Sequence, residues 1–178
     1  MSTNEYFWPL ERRDAFRAIL ETWVGTPYLH MGTQKKSESG GGGVDCTKFI
    51  GLALIELGVL NQLKPREYYP KDWYLHGDVE VVLDSLQYHI DHYLNPGFSI
   101  IRYDTWSELP VPDPLFGDVV TFYLNKKELT NHTAFYLGGY PGEQMLHCIQ
   151  KLGICICTFS PAWKAKMRYF YRLYEETA

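Results

Sequence analysis

The chain has 178 residues, 46% apolar and 16% aromatic, enough to bury the core of one domain of ordinary size, and 17 basic against 21 acidic residues leave a net charge of -4. No run of Lys and Arg marks a phosphate-backbone footprint, which argues against nucleic acid as a partner. Residues 1–13 are polar and charged, and no apolar run reaches the roughly 18 residues of a membrane span. Neither a signal peptide nor a transmembrane helix is expected, so the chain is expected in the cytoplasm as synthesised, with its cysteines at 46, 148, 155 and 157 as free thiols.

Phe16, Ile19, Leu20 and Trp23 recur at helical spacing and predict an amphipathic helix over about 9–24, closed by Gly25 and Thr26-Pro27. Residues 28–45 read as a loop, polar from Thr33 to Ser39 and then glycine-rich from Gly40 to Gly43. Phe49, Ile50, Ala53, Leu54 and Leu57 predict a second helix over 46–57, capped by Gly58. An aromatic, proline-containing connection over 61–73 leads to a third helical pattern through Val82, Leu83, Leu86, Ile90 and Leu94, which Asn95-Pro96-Gly97 ends. The whole of 61–96 reads as a helical insertion that walls a cleft.

After Gly97 the period changes to two, and 98–103, 118–124, 131–137, 144–149, 154–159 and 167–174 suit strands. The segment Leu109-Pro110-Val111-Pro112-Asp113-Pro114 between the first two is too rich in proline for regular structure and reads as a rigid connector. Helices first and strands afterwards predict an α+β single domain over 1–178, with N-terminal helices packed on a mostly antiparallel sheet of five or six strands.

Cys46 follows a glycine run and Asp45 and opens the second helix, where orphan N–H groups and the helix dipole favour a thiolate. A cysteine taken at random is more often a buried packing residue. Here the helix start and two histidines on strand-like segments, His132 and His147, supply a nucleophile, a base and an orienting partner. If Gly138-Gly139-Tyr140-Pro141 makes the hairpin turn, His132 pairs directly with His147, with Cβ atoms roughly 5 Å apart. A slip of one residue would turn His147 to the other face. His30, His76, His89 and His92 lie in loops or on a helix and receive no catalytic role. A zinc site from His147, Cys148, Cys155 and Cys157 is disfavoured, because alternation points His147 and Cys148 to opposite faces and Cys155-Ile156-Cys157 lacks the usual two-residue spacer.

Taken in order, Gly25-Thr26-Pro27-Tyr28, Gly43-Val44-Asp45-Cys46-Thr47, Gly117-Asp118-Val119-Val120-Thr121-Phe122, His132-Thr133-Ala134-Phe135-Tyr136-Leu137-Gly138 and Leu146-His147 resemble the NlpC-type peptidoglycan peptidases, a family of papain-like cysteine hydrolases. Tyr28-Leu29-His30 and Tyr68 to Trp73 resemble its phage-tail branch. The resemblance implies a papain-like fold with Cys46 as nucleophile, His132 as general base and then acid, and His147 as the residue orienting the imidazole. It also implies a substrate cleft with Tyr28 near the reacting carbonyl, Asp45 near a free peptide amine, and the Thr47 hydroxyl beside the nucleophile. No metal or organic cofactor is implied.

The implied substrate is a peptidoglycan stem peptide or muropeptide, cut between D-glutamate and a diamino acid, reached by lysis, a phage tail or a specialised secretion system. Lys48 stands where the family pattern has a small residue, and the loop over 33–43 is longer and more polar than usual. Two other readings stay open: a papain-like amidase or acyltransferase with a different substrate, and a non-catalytic phage-tail or scaffold component that kept the fold.

Overall fold

The computed structural model describes residues 4–6, 10–64, 68–125, 128–139 and 142–176. It begins with a strand that the sequence does not announce, β1 (Asn4–Tyr6), and continues into α1 (Leu10–Glu21). Pro9, the predicted first residue of that helix, lies outside the described residues. Phe16 and Leu20 on α1, with Trp23 just beyond it, are buried. The Phe16 ring meets Phe116 and Phe135 edge-on, with centroids 5.4 and 5.6 Å away.

The segment predicted as a loop contains a short antiparallel ribbon of β2 (Thr33–Gln34) and β3 (Gly43–Val44), and Tyr28 bridges Val44 in parallel. The glycines make the ribbon possible. Gly42 has φ +83°, and a Cβ there would come within 2.5 Å of the Lys35 carbonyl oxygen. Helix α2 (Cys46–Glu56) then runs to Leu57, and Gly58 at φ +72° turns the chain out of it, as expected.

The insertion carries a single helical turn, α3 (Trp73–His76), and α4 (Val81–Tyr93), whose Val82 and Leu83 are buried. Residues 65–67 of the predicted connection lie outside the described residues. Asn95 Nδ2 donates to the Gly58 carbonyl at 2.7 Å, which ties the end of α4 to the end of α2.

The second half forms β4 (Phe98–Asp104), β5 (Val119–Tyr123), β6 (Thr130–Gly138), β7 (Gln144–Ile149), β8 (Gly153–Thr158), the short α5 (Pro161–Lys164) and β9 (Met167–Glu176). Together with β1 these make one seven-stranded sheet in the order β1-β9-β5-β6-β7-β8, with β4 also paired to β9. Every pairing in it is antiparallel. The class is α+β with an antiparallel sheet, as predicted, and among the described residues the sheet carries one strand beyond the six read from the sequence. The extra strand is β1, whose register, Asn4 opposite Glu176 to Tyr6 opposite Tyr174, depends on the far end of the chain.

Alternation divides the sheet into two packed faces. Phe135, Leu137, Leu146 and Cys148 meet the helices through Phe16, Phe49, Ile50 and Ala53. Ala134, Tyr136 and Met145 face the other way, onto Val120, Phe122, Phe159 and Phe170. The proline-rich connector is pinned from below, where Arg172 donates to Asp118 at 2.8 Å and to the Asp113 carbonyl at 2.7 Å. No helix among the described residues is long and apolar enough to cross a membrane.

Candidate active site

Asp45 creates the N-terminus of α2. Its backbone is extended, its carbonyl accepts from Phe49 N–H at 3.0 Å, and its Oδ1 accepts from Lys48 N–H at 2.8 Å, which caps the helix. Its Oδ2 accepts from Met31 N–H at 3.1 Å and from the Tyr69 hydroxyl at 3.3 Å. One carboxylate, only 4% exposed, therefore joins the helix, the glycine loop and the aromatic insertion. The remaining first-turn N–H groups, those of Cys46 and Thr47, have no hydrogen-bond partner among the described residues.

These residues line a cleft of about 280 Å³. Tyr28, Asp45, Cys46, Thr47 and His132 form part of its wall, and Tyr69, Trp73 and Tyr74 of the insertion form another. Of the six sequence-predicted site residues, five reach this cleft and His147 does not. Lys71 Nζ lies 5.1 Å from the centre of the Tyr28 ring, and burial, reinforced by Cys46, pushes the Tyr28 hydroxyl up to about 12.

Cys46 is half-buried, with Sγ 3.9 Å from the Thr47 hydroxyl. The thiol is not depressed, as the helix end alone predicts. Burial pushes it up and the Asp45 carboxylate adds to that, while Thr133 and Thr47 pull in the opposite direction. The Thr133 hydroxyl is buried beside this thiol without a hydrogen-bond partner within normal limits among the described residues.

The two histidines meet, but not through the predicted register. His147 stands opposite Ala134, and an irregularity between Tyr136 and Gly138 displaces the pairing. Tyr140 and Pro141, on which the prediction relied, lie outside the described residues. Because the displacement is by two residues, both imidazoles keep the same face, and His132 Nε2 lies 2.9 Å from His147 Nδ1 across the diagonal. The Trp163 ring of α5 covers both, with centroids 5.7 and 5.4 Å away. Burial lowers His132 to about 3, with His147 contributing, and lowers His147 to about 4, so both rings are neutral near pH 7.

Cys46 and His132 thus come to one cleft from different faces of the sheet: the helix side carries Thr133 of β6 and Cys148 of β7, the opposite side His132. No hydrogen bond joins Sγ to the imidazole among the described residues. The structure brings His132 onto His147, places Cys46 in the same cleft as His132, and leaves the Cys46–His132 contact unmade.

Tyr69 and Trp73 belong to the aromatic insertion expected to wall the cleft, whereas sequence reasoning did not find Thr133, Trp163 or Cys157, whose Sγ lies 3.3 Å from His147 Nε2. Thr133 alone had a local signal, since alternation sets it next to His132 on the helix-facing side. Trp163 and Cys157 reach the site through the placement of α5 and the register of the sheet. Among the described residues no group of three His, Cys, Asp or Glu side chains converges as a metal site.

No family model matches the chain, and no curated protein matches it. Among solved structures it is similar to a lipoprotein-like protein of the NLP/P60 family from Staphylococcus aureus, with 17% identity, a TM-score of 0.48 and 92% of this chain covered. The chain spans 42% of that protein's length.

Proposed function

We propose that this protein is a cysteine hydrolase that cuts an amide bond in bacterial cell-wall stem peptides. The observation that carries the reading is the cleft that Cys46, at the start of α2, shares with His132, itself hydrogen-bonded to His147 at 2.9 Å. The order of the sequence motifs supports the substrate class.

In this reading the resting site is neutral. A lone thiolate or a lone imidazolium is disfavoured by burial, but the two together form a compensated pair. His132 Nδ1 takes the Cys46 proton as Sγ attacks the substrate carbonyl. The unpartnered N–H groups of Cys46 and Thr47 receive the developing oxyanion, His132 returns its proton to the leaving amine, and water then releases the acyl group. His147 holds the His132 ring through Nε2 throughout. Tyr28 bounds the cleft beside the nucleophile.

The role of Asp45 is narrower than the resemblance implies. Three donors already occupy three of the roughly four acceptor positions of its carboxylate, so a substrate amine would be left the remaining position on Oδ1 unless it displaced Tyr69 or Met31. Delivery to the wall by a phage tail or a secretion system belongs to the same proposal.

The raised thiol and the unmade Cys46–His132 contact favour one competing reading, a non-catalytic component that kept the fold. Mass spectrometry of muropeptides incubated with the protein tests the choice. Cleavage between D-glutamate and the diamino acid is the expected result, and intact stem peptides of several compositions overturn the cell-wall assignment.

A further inference from the structure

The reaction above uses His132 and His147 and leaves Cys157 idle. Cys157 stands on β8 opposite Met145, so its side chain shares the face of His147, and its Sγ lies 3.3 Å from His147 Nε2. With the 2.9 Å contact between His147 Nδ1 and His132 Nε2, three side chains form one line that ends beneath the cleft. We propose that Cys157 is a positioning residue that sets the tautomers of His147 and, through it, of His132. The proposal deepens the hydrolase reading and rests on it.

A neutral imidazole carries one N–H and one lone pair, so the line has two proton arrangements. In the first, His132 Nε2–H donates to His147 Nδ1, and His147 Nε2–H donates to Cys157 Sγ. His132 Nδ1 then keeps a lone pair, able to take the Cys46 proton. In the second, the Cys157 S–H donates to His147 Nε2, His147 Nδ1–H donates to His132 Nε2, and His132 Nδ1 is itself protonated. A base in that state has no lone pair for the thiol.

Two features select the first arrangement. Both rings then carry the Nε2–H form that a free histidine side chain prefers, and a thiol is a weak donor, so little is lost when sulfur accepts instead. Cys157 also remains an uncharged thiol, since burial and Cys155 push it up to about 11. It orients His147 without attracting a proton onto it, as a carboxylate there would. The line changes no oxidation state: only the proton moves, from Cys46 Sγ to His132 Nδ1 and on to the leaving amine.

The test uses the full chain with nitrogen-15-labelled histidine. Nuclear magnetic resonance reads each tautomer, and iodoacetamide alkylation of Cys46 against pH reads the base. The unaltered protein is expected to show Nε2–H on both rings. Cys157→Ala, which leaves His147 Nε2–H without an acceptor, should slow Cys46 alkylation about tenfold near neutral pH and mix the tautomers. Cys157→Ser, of nearly the same shape but a stronger donor, should raise the Nδ1–H share of His147, and it carries the test alone if the alanine variant does not fold. Cys155→Ala should match the unaltered protein. Nδ1–H on His147 in the unaltered protein, or unchanged tautomers and alkylation in both Cys157 variants, overturns the inference. An unreactive Cys46 in the unaltered protein instead overturns the hydrolase reading, because the tautomer measurement does not depend on it.

Discussion

His132 and His147 are hydrogen-bonded at 2.9 Å although they are not cross-strand partners; Ala134 occupies the position opposite His147. The contact runs diagonally, at the longer of the two spacings open to side chains on one face of an antiparallel pair. Ring size closes that gap, so a shorter side chain in place of His147 would not reach.

This geometry makes the two histidines unequal under mutation. His132→Ala should abolish hydrolysis as completely as Cys46→Ala, because nucleophile and base act as a unit. His147→Ala should leave partial activity. His147→Gln, long enough to span the diagonal and able to accept from His132 Nε2, should retain more than His147→Asn. Steady-state kinetics of the five variants on a muropeptide check this, and full activity in His147→Ala would remove that residue from the site.

Cys46 should be the first of the four thiols to react with iodoacetamide, in spite of its raised pKa. It is the more exposed of the two thiols that line the cleft: Cys148 is buried, its thiol donates to the Val44 carbonyl at 3.2 Å and burial raises it to about 12, while Cys157, raised to about 11, lies outside the cleft against His147. Peptide mapping after limited alkylation gives the order. Equal labelling of all four thiols, or preference for a sheet cysteine, contradicts the catalytic reading.

Asp45 should matter for stability before it matters for substrate. Asp45→Ala removes the cap on Lys48 N–H and strands two further donors, at a cost of about 2 kcal/mol or more in unfolding free energy. In Asp45→Asn the amide oxygen can still cap, and Tyr69 can rotate its hydroxyl to accept from the amide nitrogen, leaving the Met31 N–H as the weak point and a cost of about 1 kcal/mol. Urea denaturation of both variants measures the difference. A loss of substrate preference in Asp45→Asn without any loss of stability would restore the amine-binding role.

The buried histidines predict an acid limb in stability. Their folded-state values, about 3 and about 4, lie below the ordinary 6.5, so the unfolded chain binds protons that the native state refuses. Their contribution is complete above about pH 6.5 and is lost as pH falls toward those lower values. Between about pH 6.5 and 4.5 each histidine should withdraw up to about 2 kcal/mol. Replacing His147 by Gln should flatten that part of the curve, and a variant with the same slope as the unaltered protein would show that the pair is accessible to protons.

Arg172→Met should be among the most damaging changes outside the cleft. It leaves the fully buried Asp118 carboxylate with its Leu115 N–H partner but no cation, for which about 3–5 kcal/mol is the usual cost, and it releases the Asp113 carbonyl that anchors the proline connector. Thermal unfolding compares it with the double variant Asp118→Leu/Arg172→Met, which should recover part of the loss because no unpaired charge remains.

The sequence by itself determined what short-range periodicity and local chemistry encode. The spacing of Phe16, Ile19, Leu20 and Trp23, the cap-and-glycine signature around α2, and the alternation through residues 131–137 each express one element's preference for a buried face, and each element formed. The position of Cys46 at a helix start is of the same kind, since Asp45 caps it from one residue away. Tertiary structure decided what depends on partners far along the chain. β1 exists only because β9 offers it an edge more than 160 residues later, and the pairing of His147 with Ala134 depends on an irregularity near the turn that strand alternation does not register. The direction in which the Cys46 thiol shifts was decided there too: a helix N-terminus favours the thiolate locally, but the burial supplied by the packed sheet and the nearby Asp45 carboxylate outweighs it. Desolvation sums over every neighbour that excludes water, and no sequence window contains those neighbours.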